Sequence, residues 1–530
     1  RDWFEPYGWR VYGADPGSEW EPVTRALLSM AFEPKKDQRP AVTWVRTRKG
    51  REYGKYDYAS HGSPHKRNSP EYWETKRPFA EKYGVDFEGF GEPAPEDPDT
   101  LRVQVRNNMA KVMEVLHRHE GTLQYLADRL VELGESVPRD PAGFRLGRRG
   151  NPTRDASLFD FRKYPPQMWL KPGEKAPNRK GLAAFGSWLN STCRERYGQP
   201  LVIAMRADLA DSTNISGFAK DFGDLKNFGR YERSENPDGC LLPQQITEFT
   251  NSGISVGLAT VNMSDRPEQE YLGFWGACST YGSFSYLKYG PMRLFSQLSQ
   301  DCPLKLGKVI WVAGHSGPET ADDSRTHFGV FAPGVTQLFP DGHVCDLHPF
   351  EYNEVPVMLA AALAGPWPIV ACHLTRPPIE IPDREALGMP HFFEAARGAY
   401  VLRDYAPDRP RGGCILVQGT MTTANVLKVL PELEKRGLNV KLVAALSPQL
   451  FAAQPRDYRE RVLSEADRWD STFITNRSRR VTLDWSFNPL AGEYALSSDA
   501  DNRWRTGGTV DDVLEEAHLD PASILAGIER

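Results

Sequence analysis

The sequence predicts an α/β protein built from doubly wound parallel sheets in three layers, and three observations carry that prediction. Short apolar runs bounded by turn residues recur at 201–205, 309–313 and 369–373, and again at 399–402, 414–418 and 440–445. Such runs suit parallel strands buried on both faces. Longer helical patterns lie between them, at 290–300, 355–364 and 423–436, and strands alternating with helices call for crossover units on a parallel sheet. The chain has 530 residues, enough for about three domains.

Taken in order, residues 1–99 mix strand-like and helix-like pieces. A helix is predicted at 21–32 and a strand at 41–48, before a Pro- and acid-rich stretch at 91–99 that reads as the start of a linker. Residues 100–180 open on a helical pattern. Val103, Val105, Met109, Val112, Met113, Val115 and Leu116 recur at near-helical spacing, and Leu123, Leu126, Leu130 and Leu133 continue it. After Gly134 the chain turns basic and rich in Pro and Gly up to Lys180, as expected of a connector or a subunit contact. Residues 181–383 and 384–530 are the two strand–helix series.

Composition narrows the function classes. The net charge of −5 comes from 65 basic and 70 acidic residues that are well mixed, so neither nucleic acid nor a membrane surface is an expected partner. No apolar run reaches the ~18–20 residues of a membrane span. No signal peptide is read, and residue 1 sits within what looks like a folded element, so sequence upstream is expected. The seven cysteines, Cys193, Cys240, Cys278, Cys302, Cys345, Cys372 and Cys414, are scattered and lack CxxC spacing. Neither a disulfide framework nor a cysteine zinc site is expected, and a reducing cytoplasm is the expected compartment.

The segment richest in chemistry runs from His315 to His327 and directly follows the strand at 309–313. Ligand sites of open α/β sheets lie at the carboxyl ends of strands. The loop offers two imidazoles with Glu319, Asp322 and Asp323 between them, groups that can hydrogen-bond a polyhydroxylated or anionic substrate and move protons. The same composition also suits a polar surface turn.

This segment resembles the transketolase signature His-Asp-Ser-Ile-Gly-x-Gly-Glu-Asp-Gly-Pro-Thr-His. His315, Asp323, Thr326 and His327 match without gaps, while Ala321-Asp322 and Ser324-Arg325 depart from it. Other matches follow in the family's order. Phe4-Glu5-Pro6-Tyr7-Gly8-Trp9 and Ser60-His61-Gly62 lie near the start, then Asp208 to Ser212, then Thr247-Glu248-Phe249 before a small-residue helix. Tyr281 and Phe284 resemble the family's aromatic ladder, Arg293-Leu294 its following Arg-Leu, and Thr375-Arg376 its Ser-Arg.

The resemblance implies thiamine diphosphate and Mg²⁺ as cofactors and two-carbon ketol transfer from a ketose, phosphorylated in most of the family, to an aldehyde. It implies a transketolase-like pyrimidine domain at 181–383, a C-terminal domain at 384–530 and a partial diphosphate domain at 1–99, with 100–180 a helical insertion. Glu248 would bond the pyrimidine ring nitrogen from a buried position; a helix-opening Glu also merely complements the macrodipole. Tyr281 and Phe284 would stack on the pyrimidine, with Tyr286 or Leu287 as the third member, and Asp208 would line the cofactor. His315, Ser212, Arg376 and Arg179 would hold the sugar phosphate, since an Arg fork binds phosphate oxygens bidentately. Asp323 would take a sugar hydroxyl, and His327 and His61 would line the reaction centre.

The family's Gly-Asp-Gly motif for diphosphate and Mg²⁺ is absent from the 530 residues. Metal ligands are therefore expected outside this chain, on an N-terminal segment or a separate subunit of roughly 200–300 residues, in a homodimer or higher assembly of paired chains. Two rival readings are a 2-oxo acid dehydrogenase E1-like or deoxyxylulose-phosphate-synthase-like enzyme, and a non-catalytic regulatory paralogue.

Overall fold

The computed structural model describes residues 2–33, 39–60, 64–136, 149–207, 210–223, 229–232, 235–242, 246–320 and 325–530. They fall into two compact units, Arg1–Arg139 and Asp140–Arg530.

In the first unit, β1 (Arg10–Ala14) and β2 (Ala41–Val45) pair in parallel, Arg10 opposite Ala41 and Ala14 opposite Val45, with α1 (Trp20–Phe32) between them in sequence. Farther along, Trp73, Val85, Phe87 and Val115 make a small core. The helical pattern after residue 100 forms two helices, α2 (Pro98–His117) and α3 (Glu120–Ser136). Asp97 starts α2 by accepting the Thr100 N–H at 2.8 Å, and Pro98 follows in the first turn, where its missing N–H costs nothing.

The second unit is built on two five-stranded sheets. The first contains β3 (Val202–Arg206), β4 (Trp275–Tyr281), β5 (Val309–Gly314), β6 (Val344–Leu347) and β7 (Ile369–His373), in the order β3–β4–β5–β7–β6 and all parallel. Alternate side chains go to opposite faces. Val202, Ala204, Ile310, Val312, Val370 and Cys372 join one core with Leu182, Phe185 and Leu189 of α4 (Arg179–Tyr197). Met205, Trp311, Ile369 and Ala371 join another with Ala259 of α5 (Glu248–Ala259) and Met292 and Phe295 of α6 (Tyr289–Asp301). Both faces are covered, which gives the three layers and explains the unbroken apolar runs.

The second sheet contains β8 (Ala399–Arg403), β9 (Cys414–Gln418), β10 (Lys441–Ala445), β11 (Ser471–Thr475) and β12 (Leu496–Ser497), in the order β8–β10–β9–β11–β12. Here the parallel expectation needs one correction, because β8 runs antiparallel to β10, with Ala399 opposite Ala445. The chain turns at Gly398, which has a φ of 82°, and enters beside the end of β10, where Leu446 N–H bonds to Gly398 O. An edge strand has one neighbour and can run either way.

A second correction concerns the stretch read as connector up to residue 180. Residues 150–178 form short 3₁₀ turns whose Leu158, Phe159, Phe161, Tyr164 and Met168 are buried in the core of the first sheet. Strand β4 carried no strand signal, since it is Trp-Gly-Ala-Cys-Ser-Thr-Tyr. Small residues are needed there: a Cβ on Gly276 would lie 2.3 Å from Ser255 O of α5, so the helix could not pack as closely on anything larger. All seven cysteines are free thiols. No helix among the described residues is long and apolar enough to cross a membrane.

Candidate active site

The carboxyl ends of β3, β4, β5 and β7 bring most of the expected site residues together. Glu248 opens α5 with its side chain buried, and Thr280, near the end of β4, donates its hydroxyl to Glu248 Oε1 at 2.9 Å. The carboxyl group is thus oriented from the sheet while remaining out of water. Tyr281 follows directly.

Its ring is the centre of an aromatic and imidazole cluster. His315, at the end of β5, stacks on it with centroids 4.1 Å apart and planes at 13°. His327 lies 4.7 Å away at 58° and meets Phe284 edge-on at 5.6 Å. Phe284 is 6.4 Å from Tyr281. His315 therefore covers one face of Tyr281. Tyr286, a candidate third ring, is 58% exposed; it lines a cavity of about 500 Å³ together with Arg325, Phe331 and Trp504.

The loops carrying these residues cross closely. A Cβ on Gly329 would lie 2.6 Å from the Cα of Gly282. The Gly329 N–H also bonds to His315 O at 3.1 Å. His315 has a φ of 53°, a left-handed conformation uncommon for a non-glycine residue. It allows Ser316 N–H to reach Leu374 O at 2.9 Å, tying this loop to the end of β7.

Arg179, Ser212 and Arg376 lie on the same side. The Arg179 guanidinium donates to the Ser212 carbonyl, and the Tyr281 hydroxyl is 3.5 Å from Ser212 Oγ. Burial, and after it the charge of Arg376, pulls the Arg179 pKa below its ordinary value. Two guanidinium groups close enough to oppose each other make a natural anion seat.

A residue the sequence did not single out sets this pair. Asn178 is fully buried. Its Oδ1 accepts the Thr375 N–H at 2.9 Å, and its Nδ2 donates to Pro349 O at 3.0 Å and to Thr420 Oγ1 at 3.1 Å. Arg179 and Arg376 are the next residues after Asn178 and Thr375, so one side-chain amide registers both. His61, Asp208 and Asp323 lie outside the described residues.

With this geometry in hand, the comparisons with known proteins are specific. No protein-family model matches the chain. Transketolase from Aquifex aeolicus (strain VF5) is 23% identical over 483 residues, 87% of this chain and 57% of that protein. The chloroplastic transketolase of Zea mays is 27% identical over 273 residues, half of this chain. Among solved structures, transketolase from Leishmania mexicana superposes with a TM-score of 0.65 at 17% identity, covering 100% of this chain and 67% of that one. That from Campylobacter jejuni gives 0.64 at 19% identity, covering 99% and 68%.

The chain is similar to transketolases in sequence and in fold.

It has the transketolase fold, and it spans a little over half the length of the curated relatives it matches along most of its own length. Of the transketolase-like motifs seen in the sequence, those carrying Ser212, Glu248, Tyr281, Phe284, His315, His327 and Arg376 come together at the carboxyl edge of the first sheet. Neither rival enzyme class is favoured by these relatives.

Proposed function

We propose that this chain supplies the pyrimidine-binding face and the sugar-phosphate grip of a thiamine-diphosphate-dependent transketolase. The observation that carries the reading is the buried Glu248 carboxyl, oriented by Thr280 and adjoining the Tyr281–His315–His327 cluster. A carboxyl held out of water can share a proton with a ring nitrogen without losing it to solvent. The residues present therefore fit an aminopyrimidine, with Glu248 at the ring nitrogen and the aromatic side chains of Tyr281 and Phe284 beside the ring. Bound thiamine diphosphate supplies the carbon nucleophile that a protein side chain lacks.

The chain's own groups divide the remaining work. Arg179 and Arg376, with Ser212, hold the phosphate of a ketose. His315 joins them at the phosphate, and Asp323 takes a sugar hydroxyl. His327, edge-on to Phe284, serves the reacting carbonyl and hydroxyl as proton donor and acceptor, a role the resemblance also gives to His61. We assign 1–99 to part of a diphosphate domain, the two helices up to residue 136 to an insertion, 181–383 with the 3₁₀ turns of 150–178 to the pyrimidine domain, and 384–530 to the C-terminal domain. The diphosphate and Mg²⁺ are held by a Gly-Asp-Gly-bearing segment outside these residues, in an assembly that pairs it with this chain.

The test is two-carbon transfer from a ketose phosphate to an aldehyde, with thiamine diphosphate and Mg²⁺, by this chain together with the diphosphate-binding segment. Transfer that falls by at least ~100-fold in His327→Ala supports the reading. Decarboxylation of a 2-oxo acid without ketose dependence contradicts it, as does transfer that is indifferent to His327.

A further inference from the structure

Three side chains outside the ketol-transfer reading converge at the carboxyl ends of β6 and β7. Asp346, His348 and His373 are all buried, and one ligand atom from each lies within 4.8 Å of the other two. His373 Nε2 is 2.8 Å from Asp346 Oδ1. The two imidazoles lie face to face, with centroids 4.5 Å apart and planes at 7°. Thr336 donates its hydroxyl to Asp346 Oδ2 at 2.8 Å and fixes the carboxylate. The strands that carry the cluster are paired neighbours, with Asp346 opposite Ala371 and Leu347 opposite Cys372. The donors are therefore held at close quarters by the sheet itself.

The cluster is not saturated by protein. His348 Nδ1 and His373 Nδ1 are buried and meet no hydrogen-bond partner among the described residues. Leaving a buried polar nitrogen unmatched costs about 1–3 kcal/mol, and here two such imidazoles face one carboxylate.

We propose that Asp346, His348 and His373 bind a divalent transition ion of the zinc class. Two imidazoles and a carboxylate are a borderline donor set that suits such an ion, with a fourth position left for water. Mg²⁺ and Ca²⁺ require oxygen donors throughout, so this site is distinct in kind from the cofactor's magnesium. Arg477, fully buried near both imidazoles, opposes a cation here. It is itself offset by Asp346 and Glu319, and Asn476 Nδ2 holds the Glu319 carboxylate at 2.5 Å. The site also ties the sheets together. The His348 N–H bonds to Leu446 O at 2.8 Å, just beyond β10, so an ion on His348 braces the second sheet against the first.

The full chain, stripped with a chelator, is titrated with Co²⁺ as a spectroscopic stand-in for zinc. The expected result is d–d absorption that saturates at about one equivalent and is displaced by Zn²⁺ but not by Mg²⁺. His348→Gln and His373→Gln each weaken binding by at least ~100-fold, with unchanged circular dichroism. Absence of saturable d–d bands in the unmutated chain overturns the proposal, and that measurement needs no variant. Thiolate-to-metal charge-transfer bands overturn it too, since they place the ion on a cysteine, as do bands undiminished in both variants.

Discussion

Replacing Arg376 by Ala tests the anion seat and has a magnitude that follows from its surroundings. Arg376 is half-buried at the end of β7, and its charge lowers the pKa of Arg179. A charge-assisted hydrogen bond contributes about 1.5–3 kcal/mol, and each 1.4 kcal/mol is about tenfold in affinity. The raw expectation is thus about 10–150-fold weaker binding of a ketose phosphate. Arg179 remains to hold the phosphate, so the result belongs in the lower part of that range. Calorimetric titration of the chain with a ketose phosphate and with its dephosphorylated sugar reads the loss. The phosphate ester loses affinity and the free sugar does not. Equal losses for both, or none for the ester, would refute the anion seat.

Further outcomes follow from buried groups. Asn178→Ala unpairs the Thr375 N–H and the Pro349 carbonyl, a cost of about 2–6 kcal/mol for two buried backbone groups. Denaturant unfolding of the second unit's sheet signal should shift by that amount, and affinity for the ketose phosphate should fall with it because both arginines lose their register. Burial pushes the Glu351 carboxyl from its ordinary 4.5 up to about 7, against the pull of Arg384. A raised carboxyl pKa means that the folded state holds its proton longer, so this group's contribution to stability falls as pH rises from about 4.5 to about 7. Unfolding midpoints measured across that window should show the decline, and Glu351→Gln should flatten it.

The fold was legible wherever burial was two-sided. The runs at 309–313, 369–373 and 414–418 are strands β5, β7 and β9 almost residue for residue. It was illegible where packing demanded small residues, as in β4, whose Gly276 lies against α5. The basic, Pro-rich stretch before residue 180 hid its core contribution because Leu158, Phe161 and Tyr164 are spaced by 3₁₀ turns and follow neither sheet nor helix periodicity. In the candidate site, His315, His327, Tyr281, Phe284 and Glu248 could be singled out because they stand in the motifs that resemble the transketolases. Asn178 and Thr280 could not, since they act only by orienting neighbours, and nothing in an Asn before a helix or a Thr near a strand end marks that role.

The most direct test is the rate at which the C2 proton of thiamine diphosphate exchanges with deuterium, measured on this chain assembled with its diphosphate-binding segment. Substituting Glu248→Gln keeps the side chain's size but removes the acid. The account predicts that exchange slows by at least ~100-fold while the cofactor still binds. Exchange as fast as in the unmutated assembly would show that the buried glutamate is a structural helix start and that the pyrimidine is activated elsewhere.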